Sequence, residues 1–162
     1  MAEDLHITDG TKEEKYRSLI PQIESLLDGE KDLIANLANV TAVLKEAFGF
    51  FWIGFYFVKK DQLVLGPFQG PVACTRIGFG RGVCGTSWKS KETIVVPDVE
   101  LFPGHIACSS RSRSEIVVPV FVGNEIKAVL DIDSEEPDTF DHTYKKFLEE
   151  ICNRILSNLE WI

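Results

Sequence analysis

Three of the four cysteines of the chain lie in its central part and are candidates for redox chemistry. They are Cys74, Cys84 and Cys108, and the intervals between them are too long for one local motif, so the fold must bring them together. Cys108 lies in a polar loop, and a thiolate is favoured there by partial exposure and nearby positive charge. The basic residues beside it are His105, Arg111 and Arg113. Cys152 lies instead in an apolar run, which is typical of an inert core thiol.

A zinc site built from these cysteines, with His105 as a fourth ligand, is the first alternative. The sequence contains no C-x-x-C pair, and the cysteine intervals match none of the structural zinc spacings. We therefore expect thiol chemistry without a bound metal.

Acidic and aromatic residues form a second group of candidates. Asp131 and Asp133 alternate along the predicted strand VLDID and so face the same side of a sheet, while Glu115 begins a strand directly after the loop of Cys108. Acids on an apolar strand are costly unless they bind something or reach water at the strand end, and Glu115 favours a site for a cation or polar ligand. Trp52 and Tyr56 share one face of an aromatic strand, which suits the wall of a small pocket.

Helices that could support such a site are predicted at both ends of the chain. The first begins at a capping box opened by Thr11, and Pro21 is predicted to kink or split it. A second begins at Asp32 and stops at Gly49, and the last begins at Phe140.

Between these helices, about six segments have the composition of strands. They are FFWIGFYFV, QLVLGPF, VACTRI, TIVV, EIVVPVFV and EIKAVLDID. Their hairpin connections predict an α+β fold with an antiparallel sheet and the terminal helices together on one face. The segment VCGTSWKSK is predicted to form a short helix, and the loop over residues 97–112 has the length of a lid or binding element.

Composition limits the classes of function. The chain has 162 residues and a formal charge of -8, which favours a single domain over 1–162, with residues 1–10 flexible, and argues against a nucleic-acid partner. It has neither the charged and apolar regions of a secretory signal nor an apolar run long enough to cross a membrane. We therefore expect a cytoplasmic protein with no membrane contact.

The cysteine motifs VACTRI, GRGVCGTSW and HIACSSRSRSEIVVPV, with FFWIGFY before them and VLDIDS after them, resemble the free methionine-(R)-sulfoxide reductases. These are single-domain oxidoreductases of the GAF fold, and the resemblance runs over almost the whole chain. It implies that Cys108 is the nucleophile, Cys74 its main resolving partner and Cys84 a second thiol that can take part in recycling. Trp52 would pack on the methyl group of the substrate. The residues that would hold the amino acid are Glu115, Asp131 and Asp133.

The resemblance further implies thioredoxin as the external reductant, no bound cofactor and a homodimer. On this hypothesis Asp131 and Asp133 pair with the substrate ammonium, and Glu115 protonates the sulfoxide oxygen. Two other classes stay open: a non-catalytic GAF sensor of a small molecule, and a redox-sensing interaction protein. Both need an output domain to signal to, and we expect none here.

Overall fold

The structure, a computed structural model, describes residues 4–162. Residues 1–3, the first part of the flexible lead predicted over residues 1–10, lie outside the described residues. The helices are α1 (Lys12–Leu27), α2 (Leu33–Phe48), α3 (Gly82–Ser90) and α4 (His142–Glu150). The strands are β1 (Trp52–Lys59), β2 (Gln62–Gln69), β3 (Arg76–Gly78), β4 (Ile94–Val96), β5 (Ser114–Val122) and β6 (Glu125–Ser134). Single turns of other helix types cover Val99–Leu101, Ile151–Ile155 and Leu156–Asn158.

The strands form one antiparallel sheet in the order β3-β2-β1-β6-β5-β4. One face of the sheet packs against α1, α2 and α4, and this layer holds the larger hydrophobic core. The opposite face carries α3 and a smaller core. The predicted α+β architecture, with a six-stranded antiparallel sheet and the terminal helices on one face, is confirmed.

The helix boundaries follow local capping chemistry. The Thr11 side chain accepts a hydrogen bond from an amide of the first turn of α1, and the Asp32 carboxylate does the same for α2. Gly49 ends α2 in the left-handed conformation, with φ of 66°. Pro21 was predicted to kink or split the first helix, and the split is wrong, because α1 runs through Pro21. Pro21 and the residue four positions earlier are exposed, so water can satisfy the carbonyl that the proline leaves without a donor.

Two other element boundaries differ from the prediction. The third strand was predicted from Val72, but β3 begins only at Arg76. The carbonyl of Cys74 accepts a hydrogen bond from the Tyr56 hydroxyl at 2.8 Å, so a side chain takes the place of a neighbouring strand. The last helix begins at His142, two residues later than predicted, because Asp141 caps it with its carboxylate. Beyond Glu150 the chain continues as the single turns named above rather than as α-helix.

Candidate active site

The register of three neighbouring strands places the predicted acids and the tryptophan in one row. Trp52 on β1 lies opposite Asp133 on β6, and Glu115 on β5 lies opposite the same Asp133 from the other side. Asp131 lies two residues before Asp133 on β6 and on the same face. Ile132, between the two aspartates, is buried in the larger core. The prediction that the two aspartates share a face is therefore confirmed.

Two aromatic side chains form one wall beside this row. The rings of Trp52 and Tyr56 stack with centroids 6.0 Å apart, and the Trp52 indole donates a hydrogen bond to the Pro71 carbonyl at 3.0 Å. Gly54 between them is required, because a Cβ atom there would approach the Trp52 ring to 2.6 Å. The hydroxyl of Tyr56 also holds the Cys74 carbonyl, so the aromatic wall fixes the backbone of a candidate redox cysteine.

The cysteines reach the same region from three different segments. Cys74 precedes β3 and forms a disulfide with Cys108 of the loop between β4 and β5, with 5.5 Å between the Cα atoms. Cys108 is exposed and Cys74 is partly buried, whereas Cys84 in the first turn of α3 is a buried free thiol. The expectation that the fold brings these three cysteines together is confirmed. Cys152 is a free thiol buried in the core on the other face.

These elements enclose one pocket between the sheet, α3 and the long loop. It is lined by the acidic row, the aromatic wall, Cys84 and Cys108. Cys74 does not line the pocket and joins it through the disulfide. The pocket therefore has a floor of acids and a thiol, an aromatic side, and a mouth that carries the exposed Cys108.

The acids of the floor resist ionisation. Burial, and then the charge of Asp133, raises the pKa of Glu115 to about 8. Burial and the Glu115 carboxylate raise the pKa of Asp131 well above its usual range, and burial and Asp131 do the same for Asp133. Oδ1 of Asp131 is buried and has no hydrogen-bond partner among residues 4–162. A buried oxygen without a partner indicates that a donor or a cation belongs there.

The thiol of Cys84 shares this environment. Burial raises its pKa well above the ordinary value, and the charges of Asp131 and Glu115 add to the effect. Cys84 is thus held as a neutral thiol, which is a poor nucleophile.

The sequence did not predict that His105 lies beside Glu115. It also predicted that Arg111 supplies positive charge to Cys108, which the structure does not show. Nε2 of His105 lies 3.6 Å from Oε1 of Glu115, and burial lowers the pKa of this histidine. No local motif links the two residues, because the contact depends on how the loop closes. Arg111, expected to supply positive charge to Cys108, pairs instead with Glu135 at 2.9 Å. The zinc site of three cysteines and His105 does not form here, since the disulfide occupies two of its ligands.

None of the helices in the described part of the chain combines the length and apolar character needed to cross a membrane.

Comparison with known proteins is consistent with this architecture. The profile of the GAF domain family matches residues 30–160. The chain is 60% identical to GAF domain-containing protein A of Dictyostelium discoideum, over 98% of this chain and 100% of that protein. It is 44% identical to the free methionine-R-sulfoxide reductase of Saccharomyces cerevisiae, over 89% of this chain and 85% of the relative.

Among solved structures, the free methionine-R-sulfoxide reductase from Neisseria meningitidis in complex with its substrate is 56% identical to this chain. It aligns with a TM-score of 0.92 and covers 95% of this chain and 93% of its own. The residues that the family profile matches span the strands, α3 and the loop that build the pocket. The chain therefore belongs to the GAF domain family and, within it, to the free methionine-R-sulfoxide reductases.

Proposed function

We propose that this protein reduces free L-methionine (R)-S-oxide to L-methionine. The observation that carries the proposal is the disulfide between Cys74 and Cys108 at the mouth of a pocket with an acidic floor. A disulfide is the product left when two thiols reduce a sulfoxide, and carboxylates are suitable partners for the ammonium group of a free amino acid. The relatives named free methionine-R-sulfoxide reductase support the same reaction.

The acidic floor provides the site for the substrate ammonium. Oδ1 of Asp131 lacks a hydrogen-bond partner in the described part of the chain, and an ammonium group brings it both a hydrogen-bond donor and a positive charge. Asp133 lies on the same face and is the second anchor. The bound ammonium lowers the pKa values of both carboxyls and so favours their ionised forms. Trp52 packs against the substrate methyl group, Tyr56 extends that wall, and backbone amides of the loop receive the substrate carboxylate.

This arrangement selects the free amino acid over a methionine inside a protein. A peptide residue has neither the ammonium nor the carboxylate group, so Asp131 would remain buried without its partner. Breaking a buried ion pair by removing one member typically costs about 3–5 kcal/mol. A peptide substrate would therefore bind far more weakly even if it could enter.

The chemistry begins with attack of the Cys108 thiolate on the sulfoxide sulfur. Glu115, whose pKa burial raises to about 8, is mostly protonated at neutral pH and donates its proton to the sulfoxide oxygen. In the net step the oxygen moves from the methionine sulfur to the cysteine sulfur. Methionine sulfur is reduced by two electrons, and Cys108 is oxidised by two electrons to a sulfenic acid.

Cys74 then resolves the sulfenic acid. Its thiol attacks the Cys108 sulfur, the sulfenic oxygen leaves as water, and the disulfide forms. The Cα separation of 5.5 Å supports this pairing. Cys84 is a weaker candidate for the step because its thiol is buried and its pKa is raised, so we assign it a secondary part in recycling.

An external dithiol completes the cycle by exchange with the disulfide, and we assign this role to thioredoxin. Cys108 is the exposed member of the pair and is thus the sulfur that the reductant can reach. A thioredoxin-dependent cycle fits the reducing cytoplasm, in which we place the protein. We also propose that residues 1–162 form a single GAF domain that pairs as a homodimer, which light scattering of the purified protein would test.

The direct test is incubation of the purified chain with racemic methionine sulfoxide and dithiothreitol, followed by chromatographic separation of the diastereomers. The R isomer should disappear with an equal amount of methionine formed, while the S isomer and N-acetylated methionine sulfoxide remain. Cys152→Ala is the matched control and should behave as wild type, because this thiol lies in the other core. Loss of neither isomer would favour a non-catalytic GAF sensor, and loss of the S isomer would refute the proposed selectivity.

A further inference from the structure

We propose that the floor of the pocket is also a binding site for Zn²⁺, held by Cys84, Glu115 and Asp131 and completed by His105. The ion takes the place of the substrate ammonium at Asp131 and so inhibits the enzyme. The inhibition rests on the proposed function, whereas the binding of the ion does not.

The geometry is close to that of a zinc site. The Cys84 sulfur and one carboxylate oxygen each from Glu115 and Asp131 all lie within 4.8 Å of one another. In a tetrahedral site, with Zn–S of about 2.3 Å and Zn–O or Zn–N of about 2.0–2.2 Å, ligand atoms lie roughly 3.3–3.6 Å apart. Nε2 of His105 is 3.6 Å from the Glu115 carboxylate, which suits two ligands of one ion. His105 does not lie within this distance of all three ligands, so its side chain has to move toward Cys84 and Asp131 to complete the site.

The buried polar atoms of the floor also favour a cation. The Cys84, Glu115 and Asp131 side chains are buried, with 3%, 5% and 6% of their surfaces exposed. Asp131 lines the pocket, and its Oδ1 is buried without a hydrogen-bond partner among residues 4–162. Within residues 4–162 the only basic side chain in contact with an acid of the floor is His105, 3.6 Å from Glu115, and burial lowers the pKa of this histidine. A divalent ion would satisfy the orphan oxygen and compensate the charge that the three ligands acquire when it displaces their protons.

The donor set selects the kind of ion. Thiolate and imidazole ligands favour Zn²⁺ over Mg²⁺ and Ca²⁺, which prefer oxygen alone. Zn²⁺ must displace the protons that the thiol and the carboxyls hold in the empty pocket. This set differs from the zinc site considered from the sequence, which needed Cys74 and Cys108. Those two cysteines are joined in the disulfide, whereas Cys84 stays free in the same state.

The test uses the full chain in its disulfide form, in which no turnover can interfere. Co²⁺ replaces Zn²⁺ as a spectroscopic probe, and a sulfur-to-cobalt charge-transfer band should appear at one ion per chain and disappear when Zn²⁺ is added. Cys84→Ser should lose the band, and Cys152→Ala should keep it, because both thiols are buried but only Cys84 lies in the pocket. A wild type without the band, or a band that survives in Cys84→Ser, would overturn the proposal.

A second variant guards against misfolding of the first. Asp131→Asn keeps the size of the side chain and should weaken Co²⁺ binding by more than the 10- to 100-fold typical of residues that only support a ligand. Unchanged affinity in this variant would refute the role of Asp131. Circular dichroism of both variants confirms that they are folded.

Competition connects the ion to catalysis. Free methionine carries the same ammonium group as the substrate and should displace the band from the wild type, whereas a band unaffected by saturating methionine would refute the shared position. Inhibition by Zn²⁺ is measured with thioredoxin, since dithiothreitol chelates the ion. If Co²⁺ binds as predicted but the chain reduces no methionine sulfoxide, the ion site stands and the proposed function fails. If the chain reduces methionine sulfoxide but no band forms, the proposed function stands and the ion site fails.

Discussion

Replacement of Glu115 by glutamine removes one proton from the centre of the pocket while keeping the size of the side chain. The amide can still donate to the sulfoxide oxygen, but it has no proton to transfer at neutral pH. General acid catalysis typically contributes about 10²- to 10⁴-fold, so the rate of methionine release in a single turnover should fall by that factor. Substrate binding should be nearly unchanged, because Asp131 and Asp133 still anchor the ammonium.

The pH dependence of the wild type follows from the pKa of Glu115, which burial raises to about 8. With that pKa, about nine-tenths of the free enzyme holds the proton at pH 7 and about one-tenth at pH 9. The value of kcat/KM, which reports the free enzyme, should therefore fall roughly tenfold over this interval. In Glu115→Gln this alkaline limb should be absent or shifted.

The stability of the wild type should also fall as the pH rises. A carboxyl whose pKa is raised from 4.5 to about 8 on folding contributes fully below pH 4.5, and this contribution is lost as the pH rises through 8. The loss amounts to at most about 5 kcal/mol in the free energy of unfolding. Glu115→Gln has no such loss, so at pH 8 it should unfold at a higher urea concentration than the wild type.

The assays are rapid-quench measurement of methionine and urea unfolding followed by tryptophan fluorescence. A variant that releases methionine within about threefold of the wild-type rate, well short of the expected 10²-fold, would refute the role of Glu115 as the acid. A fall in stability at pH 8 would show that Glu115 is ionised and paired in the empty pocket, contrary to the pKa argument.

Three further predictions concern recycling, binding and packing. Cys74→Ser should retain the first turnover but lose most of its steady-state rate with thioredoxin, and an unchanged steady state would show that Cys84 resolves alone. Asp133→Asn should raise KM and leave kcat nearly unchanged, because the lost contact with the substrate ammonium weakens binding of the ground and transition states alike. A large fall in kcat at saturating substrate would instead assign Asp133 to the chemistry. Gly85→Ala should cost about 1–3 kcal/mol of stability in urea, since its Cβ would lie 2.5 Å from the Gly78 carbonyl oxygen, and an unchanged midpoint would contradict this packing argument.

The parts of the site that depend on local periodicity were predictable from the sequence. Alternation along a strand places Asp131 and Asp133 on one face and Ile132 on the other, and the structure has this arrangement. The row that joins Asp133 to Glu115 and Trp52 was not predictable in the same way. It depends on the register between strands far apart in the sequence, which no local pattern specifies.

Features that depend on tertiary contacts were not predicted from the sequence. The segment from Val72 has strand composition. The Tyr56 hydroxyl, however, donates a hydrogen bond to the Cys74 carbonyl, and the strand starts only at Arg76. The position of His105 beside the acidic floor depends on closure of a long loop, for which composition offers no signal. The part assigned to each cysteine came from the family resemblance, since polarity and spacing identify a reactive thiol but not its partner.

The central claim is that Cys108 takes the sulfoxide oxygen and Cys74 resolves the product. It is tested most directly by mixing the reduced chain with methionine (R)-S-oxide in the absence of any reductant. The wild type should release one methionine per chain and acquire a disulfide between the Cys74 and Cys108 peptides by mass spectrometry, with Cys84 and Cys152 still open to alkylation after denaturation. Cys108→Ser should release none. Stoichiometric methionine from Cys108→Ser, or a wild-type product whose disulfide contains Cys84, would contradict the account.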